Sequence, residues 1–251
     1  MKRFRVVIDV LMMLLTVVLM GGNLLFTADI VHEVCGVLTF VLWITHITLN
    51  RRWYVSFCKR TLGGKQTKEL RQTVPVLRII QVIINFGIVI CAVFLIISGI
   101  LISNHVFVFL HIESGMSFAR AAHLVASHWY FVFMSLHVGL HAGVLANAVQ
   151  CRRPSETGIG DSKKHSAWQK TRTIVFRIMI AAASAYGVYA FIVRGIGKYL
   201  LYRQPFFFFD LSRGYVLFVV DYVCMMILIA TISYVTAKLC RSCELKKTVS
   251  A

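Results

Sequence analysis

Residues 32–50 read HEVCGVLTFVLWITHITLN and residues 123–141 read HLVASHWYFVFMSLHVGLH, two stretches that align without a gap. His32 falls on His123, His46 on His137, and Asn50 on His141. Each stretch is long and apolar enough to cross roughly 30 Å of hydrocarbon at about 1.5 Å per helical residue. Fourteen residues separate the histidines within each pair. That interval turns a helix through about 1400°, leaving the two rings within about 40° of one face, and raises the second by about 21 Å. Each helix therefore carries one histidine near each membrane surface, on the same stripe.

The preceding segments repeat as well. IDVLMMLLTVVLMGG from Ile8 resembles INFGIVICAVFLIISG from Ile84, so residues 1–150 read as a helical hairpin used twice. Apolar stretches near 5–26, 32–50, 76–103, 121–149, 174–200 and 214–239 predict about six transmembrane helices. Lys2, Arg3 and Arg5 give the first stretch the look of a signal peptide. Its long apolar run, with no small-residue cleavage motif near Gly22, favours a retained helix. The expected fold class is all-α: a polytopic bundle with a four-helix core (1–150), a charged loop (151–172) and a third hairpin with its tail (173–251).

The 251 residues are 58% hydrophobic with a formal charge of +17. In a soluble domain that charge would suggest nucleic acid, but here its placement follows the helices. Of 27 Lys and Arg, 22 fall in the N-terminus, the 51–78 and 152–177 segments and the tail from Lys238. The positive-inside rule then puts both termini in the cytoplasm of a multi-pass cell-membrane protein, with anionic lipid as the partner of the basic face. Nucleic acid is excluded as a partner. The seven cysteines predict no disulfide framework, and the lone Cys240–Cys243 CxxC lacks a second half-site.

Ionisable side chains inside a span are costly unless partnered, and six of the nine histidines lie on these two helices. Helices two and four run in the same direction, so His32 is expected to meet His123 near the outer surface. His46 likewise meets His137 near the inner one. Each pair supplies two imidazoles on a common axis, as a b-type haem iron requires. No CxxCH occurs, so two non-covalent haems b are expected. His141, one turn from His137, and Asn50 at the equivalent repeat position are assigned to the surroundings of the inner haem and its propionates. His128 lies about 180° around the helix from His137 and is expected to face away from this stripe. Small residues (Gly21, Gly22, Gly36, Ser98, Gly99, Gly139) suit close packing against a macrocycle. The 104–120 loop, with His105, His111 and Glu113, reads as an amphipathic loop at the headgroups, with a cover for the outer haem or the edge of a quinone pocket as the alternatives. Arg194 and Asp221 fall at similar depths and are expected to pair, and Phe206–Phe209 fits an interfacial aromatic belt.

HEVCGVLTFVLWITHITLNRRWY, together with SGILIS and FARAAHLVASHWYFVFMSLHVGLHAG, resembles the flavinylation-associated cytochrome family of bacterial membrane proteins. The resemblance covers most of 1–150, and the last hairpin looks like an extension carried by many members. It implies a b-type cytochrome often encoded beside extracytosolic proteins bearing covalent flavin. The family's histidine pattern falls on His32, His46, His123 and His137, and an aromatic residue stands where this chain has His128. The reading expected is a dihaem electron carrier between a membrane quinol, or other donor, and an extracytosolic flavoprotein or similar acceptor. Two other readings compete with it. One is a transmembrane quinone or ferric reductase, for which the short cytoplasmic loops offer no nucleotide fold. The other is a haem-free sensor or scaffold.

Overall fold

The computed structural model describes residues 2–22, 28–52, 55, 76–111, 114–150, 162–208 and 214–249. Trp53, Cys58, Glu113, Cys151 and Phe209 lie outside the described residues. All regular structure among the described residues is helical: α1 (Lys2–Leu19), α2 (Asp29–Leu49), α3 (Val76–Ile102), a short 3-10 turn (Val108–Leu110), α4 (Met116–Gln150), α5 (Ser162–Val193), α6 (Ile196–Leu200) and α7 (Gly214–Val249). Proline is nearly absent from these stretches, so little interrupts the i to i−4 ladder.

Four of these helices contain spans long and apolar enough to cross a membrane: Ile30–Leu49, Val76–Ile102, Thr171–Val193 and Gly214–Cys243. The other two long helices fall short for chemical reasons. α1 carries Lys2, Arg3, Arg5 and Asp9, and α4 carries Arg120 and four histidines. α2 keeps Val34, Leu38 and Val41 about half exposed along one side, an aliphatic surface that water does not favour.

Boundaries differ from the sequence expectation in several places: α1 ends at Leu19 within the stretch expected over 5–26, α4 begins at Met116 within the 104–120 loop, and α7 runs on to Val249. α5 begins at Ser162, inside the stretch read as loop. The span expected over 174–200 breaks at Gly195, which adopts φ +63° while its amide bonds back to the Ile192 carbonyl. A left-handed glycine ends a helix cheaply because it has no Cβ, and the short α6 follows as a separate helix.

The chain divides into two compact units, Met1–Met134 with Lys198–Val219, and Ser135–Gly197 with Val220–Ala251. In the first, α1 packs along α2, and Ile8, Met12, Val17 and Met20 of α1 are buried, as are Ile84, Ile88 and Cys91 of α3 and Tyr130, Phe131 and Met134 of α4. Gly87 lets α3 approach α4 so closely that an added Cβ would sit 2.7 Å from the Phe133 ring. The segment after α6 lies against α4: Trp129 Nε1 donates to the Leu200 carbonyl at 3.1 Å, and the Tyr199 ring stacks on His128 at 4.5 Å.

In the second unit α7 is the centre. A Cβ at Gly139 would overlap the Ala230 carbonyl oxygen, and one at Gly187 would meet the Cys224 carbonyl at 2.5 Å. Gly139 therefore serves helix–helix contact; the expectation that it packs on a macrocycle is corrected. Ser233 Oγ donates to the Leu136 carbonyl at 2.7 Å across the same contact. Asp221 is fully buried, accepting from Arg194 Nε at 2.8 Å and Tyr186 Oη at 2.7 Å. The expected Arg194–Asp221 pair is thus present, with a hydroxyl the sequence did not single out.

Removing one member of a buried ion pair leaves the other charge uncompensated. Asp221→Ala should cost about 3–5 kcal/mol, against about 1 kcal/mol for Tyr186→Phe, which removes a single neutral donor. Thermal unfolding of the detergent-solubilised protein checks the order: equal shifts in the two variants would contradict a charge-dominated contact.

Candidate metal centre

His32 sits in the first turn of α2 and His123 two turns into α4, and the first unit brings them together. Their ring centroids are 6.3 Å apart with planes inclined at 64°. Two imidazoles binding one metal on a common axis, with bonds of about 2.0–2.1 Å, have ring centres roughly 6–6.5 Å apart at any twist about that axis. The spacing is compatible with a shared metal and also with an edge-to-face contact of the two rings.

The tautomer of His123 follows from its neighbour. Ser98 Oγ has a single proton, which it donates to the Phe94 carbonyl at 2.5 Å. With its proton there it accepts at its 3.0 Å contact with His123 Nδ1, and the Leu95 carbonyl is a second acceptor for the ring, so Nδ1 carries the hydrogen and the lone pair stays on Nε2. That is the arrangement a metal-binding imidazole needs, with the far nitrogen held by an outer partner. Gly36, one turn along α2 from His32, has no heavy atom within 4 Å of where a Cβ would stand. A Cβ on Gly99 would lie 3.8 Å from His123 Cε1. The small residues at these two positions leave room beside the rings.

Glu33, which the sequence analysis did not single out, fixes the end of this site. Its carboxylate accepts from Ser103 Oγ at 2.6 Å and from the backbone N–H groups of Asn104, His105 and Val106 at 2.8, 3.2 and 2.8 Å. Three successive amides converging on one anion form a nest, and Ser103 Oγ in turn accepts from the Phe107 amide at 2.9 Å. The loop after α3 is thereby tied to the residue next to His32. His105 and His111 are exposed on that loop, and His111 Nδ1 donates to the Phe109 carbonyl at 2.8 Å.

At the other end of α2, His46 Nδ1 meets Asp9 Oδ1 of α1 at 2.7 Å. Asp9 also went unremarked in the sequence. The available signal was its being the sole acid of an apolar helix, at the repeat position of Asn85. A carboxylate accepts, so Nδ1 carries the hydrogen here too and Nε2 keeps its lone pair. Asn50 closes α2: its Nδ2 donates to the His46 carbonyl at 3.0 Å and lies 3.4 Å from His46 Nε2. His46 belongs to the first unit, while His137 and His141 belong to the second, where their rings lie 4.6 Å apart, inclined at 50°.

His128 is buried, with Nδ1 donating to the Leu124 carbonyl at 2.8 Å and its ring stacked on Tyr199 and tilted against Phe207. Its surroundings are aromatic side chains of the 199–207 segment, apart from the His32–His123 pair. Among the described residues, no three His, Cys, Asp or Glu side chains gather as a conventional metal site requires. A haem iron has four in-plane ligands of its own and asks only two from the protein, so a pair suffices.

Glu33→Ala should free the 103–107 loop. Loss of charge-assisted hydrogen bonds predicts amide exchange at 104–106 at least tenfold faster, equivalent to about 1.4 kcal/mol of opening free energy. Hydrogen exchange read by mass spectrometry tests this, and unchanged protection would mean the loop is held by other contacts. No protein-family model, curated protein or solved structure matches the chain, so its functional reading rests on its own residues and geometry.

Proposed function

We propose that the chain is a b-type dihaem membrane cytochrome that carries electrons between a membrane quinol, or another donor, and an extracytosolic flavoprotein or similar acceptor. The observation that carries this reading is the His32–His123 pair, 6.3 Å apart, with His123 held through Nδ1 by Ser98. His32 and His123 would hold one haem, and His46 and His137 the other. Each haem, when bound, supplies a reversible one-electron carrier.

The residues around the histidines have definable tasks in this reading. Ser98 and Asp9 keep the Nδ1 hydrogens in place and leave Nε2 as the ligating atom. Gly36 and Gly99 keep side chains away from the rings. Glu33 holds the 103–107 loop at the end of the bundle where an external acceptor would approach. His141 lies one turn from His137, and Asn50 one turn from His46, where each can receive a propionate of the second haem.

This reading takes α1 and α4 as membrane spans beside the four fully apolar helices, giving six crossings in a bacterial cell membrane. Partners within the protein for Asp9, His123 and His128 support the crossing of both helices despite lower hydropathy, because partnered polar groups cost far less in hydrocarbon than unpartnered ones. The basic segments at 51–78 and 152–177 and both termini then face the cytoplasm.

Purified protein should contain two haems per chain, extractable into acidified acetone, with a Soret band that sharpens on reduction. His32→Ala and His137→Ala should each lose one haem, whereas His141→Ala should retain both. Pyridine haemochrome quantitation checks these counts. A haem-free preparation from haem-replete cells would overturn the reading, and loss of haem in His141→Ala alone would move the second ligand one turn along α4.

A further inference from the structure

The two ends of α2 treat their imidazoles differently. His123, which faces His32, gives its Nδ1 hydrogen to the neutral hydroxyl of Ser98 at 3.0 Å. His46 gives its own to the carboxylate of Asp9 at 2.7 Å. A charge-assisted hydrogen bond is shorter and roughly twice as strong as a neutral one, and an anionic acceptor draws the N–H hydrogen further from the ring. The ring then takes on imidazolate character and becomes the more basic ligand. More basic axial ligation favours ferric over ferrous iron.

Resting on the dihaem reading above, we propose that Asp9 is a positioning residue for His46 and gives the site of His46 a lower reduction potential than the site of His32 and His123. Electrons entering at the end of the bundle that holds the N-terminus therefore run downhill to the end that holds the Glu33 loop. In the proposed orientation that direction is outward. For each electron passed, the donor on the His46 side is oxidised and the acceptor on the His32 side is reduced by one equivalent. A quinol donor gives up two electrons and two protons over two such events.

Other charges have to be weighed against Asp9. Arg5, Arg51, Arg52 and Arg78 lie toward the same end of the bundle, and positive charge there favours the reduced site. Arg5, Arg51 and Arg52 are exposed at helix ends, where water and salt screen them. Asp9 acts through direct contact with the ring. At the opposite end Glu33 is also anionic, but its carboxylate is spent on one hydroxyl and three backbone amides. Its charge is met by the nest, and the Ser98 contact leaves His123 the less basic ligand.

The test is a potentiometric titration of the haem-loaded protein, followed optically, in wild type, Asp9→Asn, Asp9→Glu and Ser98→Ala. Wild type should titrate in two components. Asp9→Asn should raise the lower one by at least tenfold in reduction equilibrium constant, about 59 mV for one electron, and leave the upper one in place. Asp9→Glu, which keeps the charge, should restore the lower component toward wild type and guards against a folding defect in Asp9→Asn. Ser98→Ala should move only the upper component. Imidazole 15N spectra of the haem-free protein supply a second readout: the His46 ring should show the Nδ1–H tautomer in wild type and lose that bias in Asp9→Asn. Two haems whose potentials are unmoved in Asp9→Asn, or movement of the upper component instead, would overturn the role of Asp9 while leaving the cytochrome reading intact. Wild-type protein that binds no haem would overturn both.

Discussion

A ring N–H within an apolar helix bundle is costly unless it meets an acceptor, and three histidines of the helices meet one inside the protein. His123 finds the Ser98 hydroxyl, His46 the Asp9 carboxylate, and His128 the carbonyl one turn behind it. Because a neutral imidazole has one donor and one acceptor, satisfying Nδ1–H leaves the lone pair on Nε2 in all three rings. The same settlement that makes these residues tolerable in the bundle makes His123 and His46 ready to ligate. Structural necessity and the proposed chemistry thus meet in one set of hydrogen bonds.

Two carboxylates are met in the same way. Glu33 is met by four donors and Asp221 by Arg194 and Tyr186. Each of these clusters joins elements distant in sequence: α2 to the loop after α3, and α5 to α7. In a membrane the hydrophobic effect does not drive helices together, so such polar ties and close glycine contacts carry much of the specificity of assembly. Gly139 and Gly187 show the second device, letting α4 and α5 approach the backbone of α7 to distances that any side chain would forbid.

His128 shows how similar chemistry can serve different ends on one helix. It shares α4 with His123 and donates through Nδ1 in the same way, yet its ring is packed into Tyr199 and Phe207. Tyr199 is itself fixed by Gln204 Nε2 and the Phe208 amide, both donating to its hydroxyl at 3.0 Å. His128 therefore anchors the segment that follows α6, where Phe206 and Phe208 project their rings outward. Faces of α4 about 140° apart are given to a facing imidazole and to an aromatic anchor.

The sequence by itself determined that the chain is helical, where most helices run, and that His32 and His123 share a level. Those conclusions need only hydrophobic run length, the 3.6-residue period and a repeated 14-residue interval, which are local properties of the chain. It also marked Arg194 and Asp221 as partners, because two opposite charges at equal depth in apolar helices have few alternatives. What it did not mark were Asp9, Glu33, Ser98 as a hydrogen-bond partner, and Tyr186. Each acts on a residue more than twenty positions away, and which side chain reaches it depends on helix rotation and loop path. Nor could spacing tell that Gly139 belongs to a helix contact while Gly36 stands open beside His32. A glycine looks the same in either role, and only the packing of one backbone against another separates them.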